Sequence, residues 1–295
     1  AYTSFKWANL ASKNAGVTVV VVGLSDAPGR ERRVFSETPD GETIVKSTEH
    51  INAYLVPGPN VIVGPRSTRI SEIGEMTFGN MPNDGGGLLL TFDEAENAFR
   101  KHGVPRKFIR TFVGSQEYIR GQERRCIWVQ DVDRGEAEAN EWLAARFDGV
   151  QVKRRKSDRP TTQDLANFPH RFGEVRQRGD EQIIVVPRVS SESRPYLPVG
   201  LLSAGTIVSD RTFALLNAPL WNFALIASRL HWVWIGAVCI RLEMRFSYSN
   251  TLGWNTFPTP LLTEQNKADL TACAEEILLA REAHSPATIA DLYDQ

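Results

Sequence analysis

The sequence predicts an α/β (α+β) fold through its middle, a mainly helical portion at its C-terminus and residual β-strands at its N-terminus. Three observations carry this expectation. Two β-branched runs, VTVVVVGL at 17–24 and QIIVVP at 182–187, have the continuous apolar character of strands buried on both faces. Strand-like and helix-like patches alternate through the middle of the chain. Towards the C-terminus, apolar and amphipathic helical patterning takes over. Breaks near residues 37 and 212 divide the chain into 1–36, 37–212 and 213–295.

Taken in order, the 17–24 run lies between Gly16 and Gly23 and reads as a central buried strand. DAPGRERRVFSE follows as a turn and a more exposed strand. Residues 1–36 contain no helix long enough to cover these strands. That piece cannot close a core alone, and the chain reads as a part of a longer protein. HINAYLVPGPNVIVG gives strand pieces interrupted by Pro57-Gly58-Pro59. TFDEAENAFRKH predicts a helix with Thr91 as N-cap, Asp93 and Glu94 in its first turn and Gly103 beyond its end. RRCIWVQ predicts a strand, and 134–147 a helix ended by Asp148-Gly149. Residues 194–210 read as short strands with prolines at their starts. An apolar helix is expected over 218–235. An amphipathic one follows over 263–284, capped by Thr263 and stopped by Pro286, with Leu270, Cys273, Ala274, Ile277 and Leu278 on its apolar face. ATIADLY predicts a last short helix. Asn222, Arg229 and His231 interrupt the apolar stretch 218–240, so a core helix is expected there and no membrane partner.

Composition excludes several classes. The chain has 295 residues, 42% hydrophobic and 23% charged, with a formal net charge of -1, so any basic surface must be local. Cys126, Cys239 and Cys273 are odd in number and far apart, and the histidines show no metal spacing. Buried thiols, a cytoplasmic location and no metal site are expected. GxSxG, GxGxxG and GxxxxGK[ST] are all absent. Gly85-Gly86-Gly87 reads as a tight turn and Asp131 with Asp133 as a strand-end turn. No catalytic set is expected in this chain.

One segment departs from the average. Residues 151–178 carry Lys153, Arg154, Arg155, Lys156, Arg159, Arg171, Arg176 and Arg178 against Asp158, Asp164 and Glu174, a local excess of five positive charges. Cations among Thr, Gln, Asn and His suit contacts to a phosphate backbone. A solvated loop fits the same composition. Ser115 and Gln116, beside Gly114, form a weaker candidate loop. The stretch RLHWVWIGAVCIRLEMRFSYSNTLGWNTFPTP at 229–260 delivers charges from an apolar anchor. Glu243 and Arg245 are two apart, so one extended strand would point both the same way. A carboxylate accepts from cytosine's amine and a guanidinium grips guanine's Hoogsteen edge, so such a pair matches one C·G pair, worth about 1–3 kcal/mol per good contact. An exposed Glu–Arg ion pair, worth under about 1 kcal/mol, is the competing reading.

The order of blocks resembles the MmeI-like single-chain restriction–modification enzymes, which combine endonuclease and adenine methyltransferase. FKWANLASKNAGVTVVVVGLS, INAYLVPGPNVIV, GNMPNDGGGLLL, FIRTFVGSQEYIRGQERRCIWV, LANFPHRFGEVRQ, VVPRVSSESRPYLPVGLL, the 229–260 stretch and ILLAREAHSPATIADLYD carry it. The resemblance implies that 1–36 are the last strands of a methyltransferase domain, 37–212 a DNA target-recognition domain and 213–295 a helical domain. It implies double-stranded DNA as partner, together with upstream methyltransferase and nuclease domains of the same chain. S-adenosylmethionine and magnesium would belong to the parent and not to this piece. Base reading falls to Glu243, Arg245 and Arg241, and phosphate contact to the eight cations above and Tyr248. The chain departs from the family at Ser247-Tyr248-Ser249 and Gly253-Trp254-Asn255, where Arg-Tyr-Ser and Val-Tyr-Asn are common. The first departure removes a possible contact at Ser247. A protein-interaction module, resting on the apolar and aromatic content of 220–235, is the alternative.

Overall fold

The computed structural model describes residues 1–7, 18–26, 31–38, 40–191, 193–242 and 245–294. The described residues of the N-terminal part form four strands: β1 (Tyr2–Lys6), β2 (Thr18–Val21), β3 (Arg32–Glu37) and β4 (Thr43–Thr48). The middle alternates β5 (Thr77–Phe78), β6 (Leu89–Thr91), α1 (Phe92–His102), β7 (Ile109–Val113), α2 (Ser115–Arg120), β8 (Arg124–Ile127), α3 (Arg134–Glu138), α4 (Glu141–Arg155) and α5 (Pro160–Asp164). Then come β9 (Ile183–Pro187), β10 (Val189–Ser190), β11 (Gly200–Leu202), β12 (Thr206–Val208) and β13 (Thr212–Leu216). The last part contains α6 (Trp221–Ala227), α7 (Arg229–Val238), β14 (Arg241–Leu242), β15 (Arg245–Ser247), α8 (Glu264–Ala283) and α9 (Ile289–Tyr293). The predicted fold class is therefore the observed one.

Four sheets organise these strands, in the orders β2-β1-β3-β4, β11-β9-β13-β5, β12-β7-β8-β6 and β10-β15-β14. The second is central. In β9, Ile184 and Val186 pack with Phe213, Leu215 and the helices α6, α7 and α8, while Ile183 and Val185 pack on the other face with Val208 and Ala214. All four β9 side chains are almost wholly buried, which is why the run is apolar without alternation. The third sheet carries a separate core with α1 and α4, built on Leu90, Phe108, Ile127, Leu143, Phe147 and Val150. Asn80 ties the two sheets together. Its amide donates to Gln177 Oε1 (2.7 Å) and Val208 O (2.9 Å), and Gln177 accepts from Val208 N (2.9 Å) and donates to Thr206 O (2.8 Å). Gly79 beside it admits no side chain, since a Cβ there would lie 2.2 Å from Ser209 O.

Several expectations need correction. Among the described residues the 17–24 run forms an edge strand and not a central one: β2 pairs with β1 alone, and Val20, Val21 and Val22 are about half exposed. Among the described residues before Ile73, Val34 is the only buried apolar side chain. The helix expected over 134–147 is two. Asn140 restarts the chain as α4, its side chain accepting from Leu143 N at 3.2 Å. α4 then runs through Gly149 because Leu143, Phe147, Val150 and Arg154 form one buried stripe at helical spacing. Three buried apolar side chains at about 1.5–3 kcal/mol each outweigh the roughly 1 kcal/mol that a helical glycine costs.

The apolar helix over 218–235 is also two. Ser228 is extended, donates to Leu225 O (2.7 Å) and caps α7 by accepting from His231 N (3.1 Å). None of the described helices is long and apolar enough to cross a membrane. α1 and α8 begin as expected, with Thr91 and Thr263 as caps, and α9 forms as expected, with Thr288 as its cap. Cys273, however, is exposed on α8, while Cys126 and Cys239 are buried. The break expected near residue 212 has no counterpart in packing. β13 begins there, and its Phe213 and Leu215 share one core with Phe223, Ile226, Trp232, Ile235 and Trp254.

Candidate nucleic-acid interface

The charged stretch singled out in the sequence folds as a hairpin. Leu242 faces Arg245 and Arg241 faces Phe246 across an antiparallel pair, and β15 pairs with β10 on its other side. β14 ends at Leu242 and β15 begins at Arg245, two separate strands of one antiparallel pair. Glu243 lies outside the described residues. Alternation along β15 decides what faces out. Phe246 is buried edge-on against Trp232, with centroids 4.4 Å apart, whereas Arg245 is exposed. Tyr248 is buried too, sharing a 2.9 Å hydrogen bond between its hydroxyl and His231 Nε2. The expected phosphate contact from Tyr248 is thus overturned: its hydroxyl is sealed in the core. Burial holds His231 neutral, with its pKa lowered to about 3, and pushes the Tyr248 phenol well above its usual range.

The basic segment divides by role. Lys153 and Arg155 belong to the last turn of α4, where positive charge meets the negative end of the helix dipole, and Lys156 follows it. With Arg159 they are exposed and have no ion-pair partner among the described residues. Arg154 does the opposite. It is 1% exposed, and its guanidinium donates to the carbonyls of Asn83 (2.9 Å), Leu165 (3.1 Å), Phe168 (2.9 Å), Pro82 (3.0 Å) and Arg171 (2.7 Å). Burial lowers its pKa, against the charge of Asp84. Its expected phosphate contact is corrected to an internal clamp.

Arg171 bonds Asp131 (3.1 Å), and Arg176 bonds Glu174 (2.8 Å). Asp131 also meets buried His170 at 2.8 Å. Desolvation lowers the His170 pKa, so this contact is a hydrogen bond from a neutral ring and not an ion pair. Arg178 is exposed at a turn whose N–H groups converge on Glu181. Burial opposes that carboxylate's charge, but the N–H groups of Arg178 and Gly179 hold its pKa down.

Hydrogen bonds connect the hairpin to the other candidates. Tyr248 N donates to Arg188 O, Arg188 N to Arg211 O, and Ser115 Oγ to Arg211 O at 2.5 Å. Gln116, next to Ser115, is exposed. Arg211 is 79% exposed. These bonds link the segments that carry Ser115, Arg211, Arg188 and Tyr248. Arg188 and Arg211 were not singled out in the sequence, because each is an isolated cation in neutral surroundings. Arg154 holds Pro82 and Asn83, which follow Asn80 in the chain. Arg176 N donates to Asn80 Oδ1 at 2.7 Å.

The N–H groups of Gly86 and Leu88 are taken by the Asp84 carboxylate at 3.0 and 2.5 Å, so the Gly85–Gly87 turn is closed by the protein's own anion. Among the described residues there is no group of three or more His, Cys, Asp or Glu placed to hold a metal.

The family model for the MmeI target recognition domain matches residues 57–261. The chain belongs to the MmeI target-recognition-domain family. Residues 1–36 match the DNA-methyltransferase domain of MmeI. The recognition-domain match runs past residue 212, in keeping with the shared core across that position. DNA methyltransferase A of Bacillus subtilis (strain 168) is 37% identical over 296 residues, covering 100% of this chain and 33% of the relative. A solved structure of the Type IIL restriction–modification enzyme MmeI in complex with DNA superposes with a TM-score of 0.87 at 33% identity. It covers 99% of this chain and 39% of that one. The chain thus spans about a third of the length of the curated relative. The MmeI-like frame accounts for both the N-terminal strands and the large mixed part that follows them.

Proposed function

We propose that this chain is the part of a restriction–modification DNA methyltransferase that recognises a specific double-stranded DNA sequence and positions the target adenine for a catalytic domain upstream. The β14–β15 hairpin carries this reading. Its inward residues Phe246 and Tyr248 fix it to the core and leave Arg245 exposed at the surface. Glu243 and Arg245 read one base pair, with Arg241 at the base of the hairpin. Arg211 and the Ser115–Gln116 turn extend the same reading. Lys153, Arg155, Lys156, Arg159 and Arg178 supply phosphate contacts without sequence information. Arg171 and Arg176 do so only after releasing their carboxylates.

The parent would bind S-adenosylmethionine and magnesium upstream of this piece, next to its nuclease and methyltransferase domains, in the cytoplasm. The exposed Val20–Val22 face of the first sheet suits contact with that methyltransferase domain. The alternative, a docking module without base reading, rested on the apolar content of 220–235. Phe223, Ile226, Trp232 and Ile235 are consumed by the chain's own core.

In the full-length enzyme, Glu243→Lys with Arg245→Asp is expected to change the methylated site at one base position. Sequencing of modified genomic DNA reads this directly. An unchanged site would remove the hairpin from base reading.

A further inference from the structure

Pro57 to Met76 is a long segment without regular secondary structure, apart from an isolated bridge between Pro57 and Ile51. Loops of this length inside a domain are uncommon and are usually functional. This one is held rigidly from one side. Arg66 N donates to Thr251 O and Ile70 N to Asn255 O. Asn255 Nδ2 donates to Arg66 O (2.8 Å), Trp254 Nε1 to Gly74 O (2.7 Å) and Asn250 Nδ2 to Met76 O (3.2 Å). Ser71 Oγ donates to Phe257 O (2.8 Å), and Gly74 N to Asn222 Oδ1 (2.7 Å). The block LGWNTFP is thus the anchor of this loop.

Between loop and anchor lies a cleft of about 640 Å³. Ser67, Thr68, Arg69, Thr77, Arg176, Asn250 and Thr251 line it with polar groups, and the carboxylates of Glu72 and Glu75 line it too. The two arginines are held loosely. Arg69 is 3.8 Å from a Glu75 that is 84% exposed, and both Arg176 and Glu174 are about half exposed. Exposed pairs of this kind are worth under about 1 kcal/mol and yield readily to a stronger anion.

We infer that this cleft seats one sugar-phosphate strand of the duplex beside the hairpin, with Arg69 and Arg176 on its phosphates. The inference rests on the DNA-recognition reading above and adds a site to it. Shape decides between phosphates and bases. Base edges lie at the floor of a groove about 8.5 Å deep, so they are reached by protrusions such as a hairpin. A recess in the protein accepts what protrudes from the duplex, its backbone. Position supports this too. The cleft begins directly after β15, at Asn250, and its wall residue Phe78 lies under the Arg188 guanidinium, 5.0 Å from its ring centre. A hairpin inserted in a groove brings the bounding strand to its flank, where the cleft is. Hydroxyls, amides and arginines are the side chains that usually contact backbone phosphates.

The test uses the full-length protein and fluorescence anisotropy on cognate and scrambled duplexes across a salt series. Arg69→Gln and Arg176→Gln are compared with Arg100→Gln, a remote exposed arginine on α1. Each cleft variant should lower the slope of log K against log salt by about 0.9 and weaken both duplexes by the same factor, the double variant by about twice that slope. Arg100→Gln should match wild type. A double variant with the wild-type slope, or a loss confined to the cognate duplex, would overturn the phosphate seat while leaving DNA recognition intact. A wild-type protein that binds neither duplex would overturn the DNA-recognition reading itself, and the cleft assignment with it.

Discussion

At the scale of single residues, neighbouring positions in one charge run have opposite fates. Arg154 serves five backbone carbonyls, and its neighbours Lys153 and Arg155 serve none of them. Arg154→Ala is expected to destabilise the protein by about 3 kcal/mol, since five carbonyls lose a charged donor and a buried side chain is removed. Lys153→Ala should leave stability within about 0.5 kcal/mol of wild type and weaken DNA binding instead. Urea denaturation of both variants separates the roles, and equal stabilities would refute the clamp.

His231 gives a pH signature. Its folded pKa, about 3, lies below the ordinary value of 6.5, so the unfolded chain takes the extra proton. Its stabilising effect is complete above about pH 6.5 and drains away as pH falls toward 3, by at most about 1.4 kcal/mol per unit. Melting temperatures between pH 7.5 and 5 should fall with acidity, and His231→Gln should flatten that dependence. A variant as acid-sensitive as wild type would place the effect elsewhere, first at His170, whose shift has the same sign.

At the scale of elements, the sequence was readable where a local rule was also the deciding one. Caps at Thr91 and Thr263 depend only on a side chain and the N–H two or three residues ahead, and both are found. Burial is not local. QIIVVP and VTVVVVGL give the same signal, yet β9 is enclosed on both faces and β2 is an edge with half-exposed valines, because among the described residues only the first has layers on either side. Helix length failed for the same reason at α4. Asp148-Gly149 reads as a stop until Val150 and Arg154 are seen to complete a buried stripe. Within the candidate site, Arg245 was legible from its charge and spacing. The seven-residue anchor Leu252–Pro258 was not, since a π-turn and a set of backbone hydrogen bonds leave no periodic trace. Gly253 shows how tight that turn is: a Cβ there would meet Cys239 Sγ at 3.1 Å and Ile235 at 3.2 Å.

At the scale of the whole molecule, the recognition part is one cooperative body through residue 212. Phe213 and Leu215 enter the same core as α6, α7 and Trp254, and Arg281 on α8 reaches back to Val199 O at 2.6 Å. Pieces ending at or beginning after residue 212 are therefore expected to lack fixed structure when expressed separately, and dispersed amide NMR spectra from either alone would contradict this. The pinned loop Pro57–Met76 adds a consequence for synthesis. Its tethers run to Asn222, Asn250, Thr251, Trp254, Asn255 and Phe257, some 150 to 190 residues downstream. A nascent chain carries the loop long before it carries the groups that hold it. The surface proposed to meet DNA thus matures only after residues 222–257 have left the ribosome, and a nascent copy short of them has no organised surface with which to occupy the genome.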